Sequence, residues 1–278
     1  MAKHLRLHNG LLMPSVGFGT LGLGGETKEA VKTAIETGYR LLETAPIYQN
    51  EPGIADAIEE TIDRDQLFIT SKIPPHIKTY DGALRIVKRI LKHLRTDYLD
   101  ALLINNPVPW GKEGENFNKE NLEVWRALEY LYDNDTVGVI GVSNFTEHDL
   151  KNIIDKGRIK PHINQLGIFV GHDLPALRDY CAENDIVIQG HSPLARGRVF
   201  KHSALNETAK TLNVSPSKLA INFVHALGVA PVIRSANLEH IQENFFEPFP
   251  LSEETLTKLR EINHDVRDYL PPGATRQL

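Results

Sequence analysis

A chain of 278 residues with 41% hydrophobic and 24% charged side chains has the composition of a globular protein able to bury a large core, which excludes intrinsic disorder. Its net charge of −5, with no Lys- or Arg-rich block, offers no field for a phosphate backbone, so nucleic acid is not an expected partner. The polar start Met1-Ala2-Lys3-His4, the lack of an 18-residue apolar run and the single cysteine, Cys181, point to a cytoplasmic protein without a membrane span. Two residues after the polar Asp179, Cys181 reads as a half-buried structural thiol.

The first element is a hairpin. Leu5 to Met13 alternates and turns at Asn9-Gly10, a strong short-range hairpin signal. Eight short β-rich runs follow: Val16–Gly19, Tyr39–Glu43, Leu67–Ser71, Leu99–Ile104, Val139–Ser143, Ile163–Leu166, Ile186–Gln189 and Ala230–Ile233. Between them lie stretches with apolar residues at helical spacing, among them Lys28–Thr37, Gly82–Leu94, Asn121–Tyr132, Thr146–Ile154 and Pro175–Glu183. Eight βα repeats without a composition break predict one α/β domain over residues 1–278, a (β/α)8 TIM barrel with the N-terminal β-hairpin as a lid on one end. A doubly wound open sheet is the alternative. Pro107–Asn118, containing Trp110, and the tail from Asp265 read as long loops. The loops around Trp110 and His76, with that tail, are the expected lining of a substrate pocket.

Two local signals point elsewhere and do not hold up. Gly17-Phe18-Gly19-Thr20-Leu21-Gly22 matches G-x-G-x-x-G, but Pro14 interrupts the approach and Gly24-Gly25 keeps Gly22 out of a helix, against a dinucleotide-binding turn. Only His4 and His8 fall at i, i+4, and they lie in the hairpin, so no metal site is expected. There is no G-x-S-x-G elbow for serine hydrolysis.

Barrel enzymes carry their chemistry at the C-terminal ends of the strands. Here those ends carry Thr20, Glu43 with Tyr48 just beyond, Lys72, Asn105 with Asn106, Ser143 with Asn144, Gln165, His191 with Ser192, and Arg234 with Ser235. Each has an ordinary structural explanation, such as Ser143-Asn144 capping a helix. Together they form a ring of polar groups that would be costly to desolvate without a purpose.

The segment Gly38-Tyr39-Arg40-Leu41-Leu42-Glu43-Thr44-Ala45-Pro46-Ile47-Tyr48-Gln49-Asn50-Glu51 resembles the aldo-keto reductase motif G-Y-R-x-x-D-T-A-x-x-Y-x-N-E. The similarity continues through Thr70-Ser71-Lys72, Asp97 to Pro107, Ile140 to Phe145, Asn164-Gln165, Ser192-Pro193-Leu194, Val232 to Ser235 and Ile241 to Asn244. The resemblance implies a nicotinamide cofactor, with Tyr48 as general acid, Lys72 tuning it, and Glu43 orienting the lysine and touching the nicotinamide ribose. Two positions depart from the family pattern. Glu43 replaces Asp, and Asn105 replaces the His that positions the substrate carbonyl. Asn donates a hydrogen bond but carries no proton.

Ser143, Asn144 and Gln165 match the carboxamide-binding residues, and His191 replaces a Tyr that stacks on the nicotinamide. An imidazole in its ordinary range would titrate near neutrality. Gly19, Thr20, Ser192, Leu194, Glu243 and Asn244 fall in further cofactor segments. Arg234 and Ser235 match the phosphate segment, where a guanidinium favours NADPH (NADP+) over NAD, while His240 stands in place of the following arginine. The expected function is reduction of an aldehyde or ketone, or of a related C=C or C=N bond, by a monomer or weak oligomer acting on a small molecule. The competing expectation is a catalytically silent NADP-binding redox sensor, with a non-redox phosphate-binding barrel behind it.

Overall fold

The computed structural model describes residues 4–263; the loop expected from Asp265 lies outside them. Strands β1 (His4–Arg6) and β2 (Leu12–Pro14) pair antiparallel with Leu5 opposite Met13. Leu7 N donates to Leu11 O and Gly10 N to Leu7 O, and Gly10 takes φ +90°, which a residue without Cβ adopts freely.

Eight parallel strands then close into a barrel: β3 (Gly17–Gly19), β4 (Leu41–Glu43), β5 (Phe68–Ile73), β6 (Leu99–Ile104), β7 (Val137–Ser143), β8 (Ile163–Gly167), β9 (Val187–His191) and β10 (Ala230–Ile233). Val232 pairing with Gly17 joins the last strand to the first, so the open-sheet alternative fails. Gly17-Phe18-Gly19 is thus a barrel strand rather than a dinucleotide turn. The second strand starts at Leu41 instead of Tyr39. Tyr39 leaves the ladder to donate its hydroxyl to Ile241 O and to pack between Phe18 and Phe245.

The helices are α1 (Thr27–Thr37), α2 (Glu51–Thr61), α3 (Tyr80–Leu94), α4 (Asn118–Asp133), α5 (Glu147–Lys156), α6 (Pro175–Glu183), α7 (Ser203–Thr211), α8 (Pro216–Ala226), α9 (Leu238–Glu243) and α10 (Glu253–Arg260). Their starts are chemically marked. Thr146 accepts from Asp149 N while Asp149 returns a bond to Thr146 N, and Ser215, Asn237 and Ser252 cap α8, α9 and α10. In α2, Pro52 and Gly53 disguise the periodicity, although Pro in a first turn loses no helical hydrogen bond.

The period-two alternation of the strands separates two cores. Leu42, Ile69, Leu102, Ile140 and Ile188 point outward to the helices, whereas Leu41, Phe68, Ala101, Leu103, Val139, Ile163, Ala230 and Val232 fill the barrel. Leu7 and Met13 of the hairpin join the inner cluster, so the lid plugs the N-terminal end. At the inward position 141 only glycine fits, because a Cβ would lie 2.5 Å from Ile163 O and 2.7 Å from Leu103 Cδ2. Cys181 is fully buried rather than half-buried, packed where Asn164 Nδ2 approaches its sulfur at 3.9 Å, and burial pushes the thiol up to about 11. No helix among the described residues is long and apolar enough to cross a membrane.

Candidate active site

The inward parity that fills the barrel with apolar side chains carries polar ones at its C-terminal end. Counting by twos from Leu41, Thr70, Leu103, Val139, Ile163, Gln189 and Val232 leads to Glu43, Lys72, Asn105, Ser143, Gln165, His191 and Arg234. All seven line one cavity of about 640 Å³, together with Gly19, Tyr48, Asn144, Ser192 and Leu194. Twelve of the residues expected from sequence are therefore gathered in one place.

Thr20, Ser235, His240, Glu243 and Asn244 are not in that wall. Thr20 Oγ1 donates to Glu43 O while its own carbonyl accepts from Asn50, tying the β3 turn to β4. Ser235 Oγ closes the turn before α9 against Asn237, His240 and Glu243 are exposed on α9, and Asn244 is buried at its end. His76 is exposed and also off the cavity. Leu21, Ile47, Pro193, Arg196, Gly197 and Val232 complete the wall with Trp110. Trp110 had the signal of a long loop; Ile47 and Leu21 lay one residue from expected ones; Arg196 had none.

At the cavity floor, Lys72 Nζ donates to Tyr48 Oη at 3.0 Å, Tyr48 Oη donates to Glu43 Oε1 at 3.1 Å, and Lys72 is ion-paired with Glu43. Lys72 and Glu43 are 2% and 4% exposed, so their charges are withdrawn from water and must satisfy each other. Desolvation pushes the Lys72 ammonium down to about 7, while the adjoining carboxylate favours its protonated form. Burial raises the Tyr48 phenol well above its ordinary 10. Proton release from Tyr48 thus depends on Lys72 stabilising the phenolate. Asn105 is held by backbone bonds, its N donating to Ile73 O and its O accepting from Asn144; its amide makes no hydrogen bond to the described residues and faces the cavity.

Asn144 sits at φ +61°, a conformation asparagine tolerates, and its Nδ2 serves Asn105 O and Ser143 Oγ. Its Oδ1 is therefore the atom meeting His191 Nε2 at 3.1 Å, so Nε2 carries the proton and Nδ1 accepts from Ser192 Oγ. Desolvation, with Lys72, His172 and Arg196 adding to it, pushes His191 down to about 3. The imidazole stays neutral and does not titrate near neutrality. Ser192, Ala195 and Arg196 all take φ between +43° and +58° at the cavity mouth, where left-handed backbone costs a non-glycine residue about 1–2 kcal/mol.

The donor set fits a nicotinamide dinucleotide. Gln165 Oε1 and the Asn105 amide face the cavity without hydrogen bonds to the described residues, as a carboxamide and a carbonyl require. Arg234 stands at the rim, where its Nε and Nη2 donate to Leu21 O and Gly22 O and its charge remains exposed for a phosphate.

A closed parallel barrel with a buried Lys–Tyr–carboxylate group at its C-terminal mouth defines a nicotinamide-dependent oxidoreductase. The family model described as "Aldo/keto reductase family" matches residues 15–264, and the chain belongs to that family of NAD(P)H-dependent carbonyl oxidoreductases, which act on small molecules. It is 36% identical over 268 residues to the glyoxal reductase of Bacillus subtilis (strain 168), covering 95% of this chain and 94% of that protein. It is 35% identical to the 9,11-endoperoxide prostaglandin H2 reductase of Trypanosoma cruzi (strain CL Brener), covering 94% and 92%. Among solved structures it resembles an aldo-keto reductase from a Medee basin deep-sea metagenome library, with TM-score 0.86 and 31% identity over 93% and 94% of the two chains.

Proposed function

We propose that this chain is an NADPH-dependent reductase of small aldehydes and ketones in which Tyr48 is the general acid. The observation that carries this reading is the buried Lys72–Tyr48 hydrogen bond at the floor of the cavity, with Glu43 against both groups. A bound reduced nicotinamide supplies hydride. Tyr48 gives its proton to the carbonyl oxygen, and Lys72 stabilises the phenolate left behind. Asn105 donates from Nδ2 to the same oxygen and orients it without a proton of its own.

Ser143, Asn144 and Gln165 hold the carboxamide, and His191 packs on the nicotinamide ring with Gly19, Ser192 and Leu194 around it. Arg234, with Ser235, His240, Glu243 and Asn244 at the β10–α9 corner and Thr20 behind β3, serves the adenosine-phosphate half and favours NADPH. Trp110, Leu21 and Ile47 give the substrate an apolar wall. The similarity to a glyoxal reductase makes short dicarbonyls the first compounds to try.

The test is NADPH oxidation against panels of dicarbonyls, simple aldehydes, ketones, enones and imines. Tyr48→Phe is expected to lose about 10²- to 10⁴-fold in kcat while still binding NADPH; full activity in that variant refutes the acid role. Turnover confined to enones or imines moves the substrate away from C=O. Tight NADPH binding without turnover on any panel makes the chain a silent sensor instead.

A further inference from the structure

One buried polar group takes no part in that chemistry. Gln189 is fully buried inside the barrel, two residues before His191 on β9 and directly opposite Gln165 on β8. A glutamine amide enclosed by strands is costly to desolvate unless each of its groups is satisfied. Here Gln189 Oε1 accepts from Gln165 Nε2 at 2.9 Å, and Gln189 Nε2 donates to Met13 Sδ at 3.2 Å and to Thr70 Oγ1 at 3.3 Å.

The direction of this chain of bonds does not rest on telling amide nitrogen from oxygen. A thioether sulfur has no proton and only accepts, so the end of Gln189 that meets Met13 must be the NH2. Its carbonyl oxygen then faces Gln165. That oxygen only accepts, so Gln165 must turn its own NH2 inward, which leaves Gln165 Oε1 at the cavity surface. The Gln165 backbone is pinned separately, its carbonyl accepting from Ser143 Oγ and Asn144 N. Met13 belongs to the hairpin plug, so the orientation is passed from the N-terminal end of the barrel to the cavity floor.

We propose that Gln189 is a positioning residue that locks the Gln165 amide with its oxygen toward the cavity, so that the site selects a cofactor carboxamide presenting an N–H donor. The proposal rests on the reading that Gln165 receives the carboxamide. Without Gln189, the Gln165 amide turns over freely and meets the cofactor with either end. The enzyme then loses discrimination between the carboxamide and an acetyl group of the same shape that has no N–H.

The experiment compares Kd for NADPH and for its 3-acetylpyridine analogue, read by quenching of the fluorescence of Trp110 in the cavity wall. The whole chain is used, as wild type, as Gln189→Met, and as Met13→Leu/Thr70→Val. The double variant keeps Gln189 but removes both groups that orient it, and it answers the question if Gln189→Met does not fold. The expected wild-type preference for NADPH is roughly tenfold, the size of one hydrogen bond. In either variant the ratio is expected to fall toward one, mainly by weaker NADPH binding. A preference retained in every folded variant overturns the proposal alone, since Gln189 is then only core filling. Equal affinities in the wild type overturn the carboxamide reading of Gln165 and the proposal with it.

Discussion

The longer carboxylate at position 43 makes a sharp prediction. Tyr48 Oη donates to Glu43 Oε1 at 3.1 Å, so the proton that must reach the substrate is hydrogen-bonded to the carboxylate until then. In Glu43→Asp the carboxylate withdraws by about 1.5 Å, one C–C bond, opening the gap to Tyr48 beyond hydrogen-bond range. Lys72, on its flexible stem, keeps its bond to Tyr48 while still reaching the carboxylate; Tyr48, fixed on the short helical turn Pro46–Tyr48, does not follow. A hydrogen bond to a charged acceptor contributes about 1.5–3 kcal/mol, some of which water replaces in the variant. Relief of about 1.4 kcal/mol of it in the transition state raises kcat about tenfold. The assay is single-turnover NADPH oxidation with saturating aldehyde, alongside Glu43→Gln, which leaves Lys72 without its counter-charge and is expected to slow the reaction. A folded Glu43→Asp enzyme with unchanged or lower kcat refutes the reasoning.

Burial brings Lys72 down to about 7 and the ammonium is the form that stabilises the phenolate, so kcat is expected to fall as pH rises above about 7. A flat pH–rate profile into the alkaline range would show that Lys72 keeps its proton there. His162, under the hairpin, is stacked on His8 at 4.0 Å, and its Nε2 has no hydrogen-bond partner among the described residues. Desolvation, with His8 adding to it, holds its folded-state value near 4 against an ordinary 6.5. Between those limits the unfolded chain binds the proton first, so stability present at neutral pH is lost as pH falls, by about 3 kcal/mol in all. His162→Gln should remove that share of the slope in urea unfolding measured from pH 7 to pH 4. A difference between the two proteins that does not change with pH would contradict it. Arg234→Ala is expected to raise the KM for NADPH about tenfold more than that for NADH, since only the former loses a phosphate contact. Equal losses would mean that Arg234 acts only by tying down Leu21 and Gly22.

The repeat of apolar runs and helical stretches was enough to read a barrel from the chain, because every strand of a closed parallel sheet must be apolar on both faces and every helix on one. The parity of those runs is also sequence information: from Val139 or Ile163, inward positions recur every second residue and end in Ser143 and Gln165. Pairing with distant segments was not. Whether Tyr39 joins a strand depends on Ile241, and the fate of Gln189 depends on Met13, 176 positions earlier.

The same division holds for the two residues that depart from the family pattern. Sequence alone established that Glu43 is one methylene too long and that Asn105 cannot carry a proton, since both follow from the side chains themselves. Only the tertiary structure decided what that changes. It brings Tyr48 within 3.1 Å of Glu43, leaves the Asn105 amide facing the cavity and holds His191 neutral between Asn144 and Ser192. Distances and desolvation arise from segments meeting in space, and no local stretch of chain encodes them.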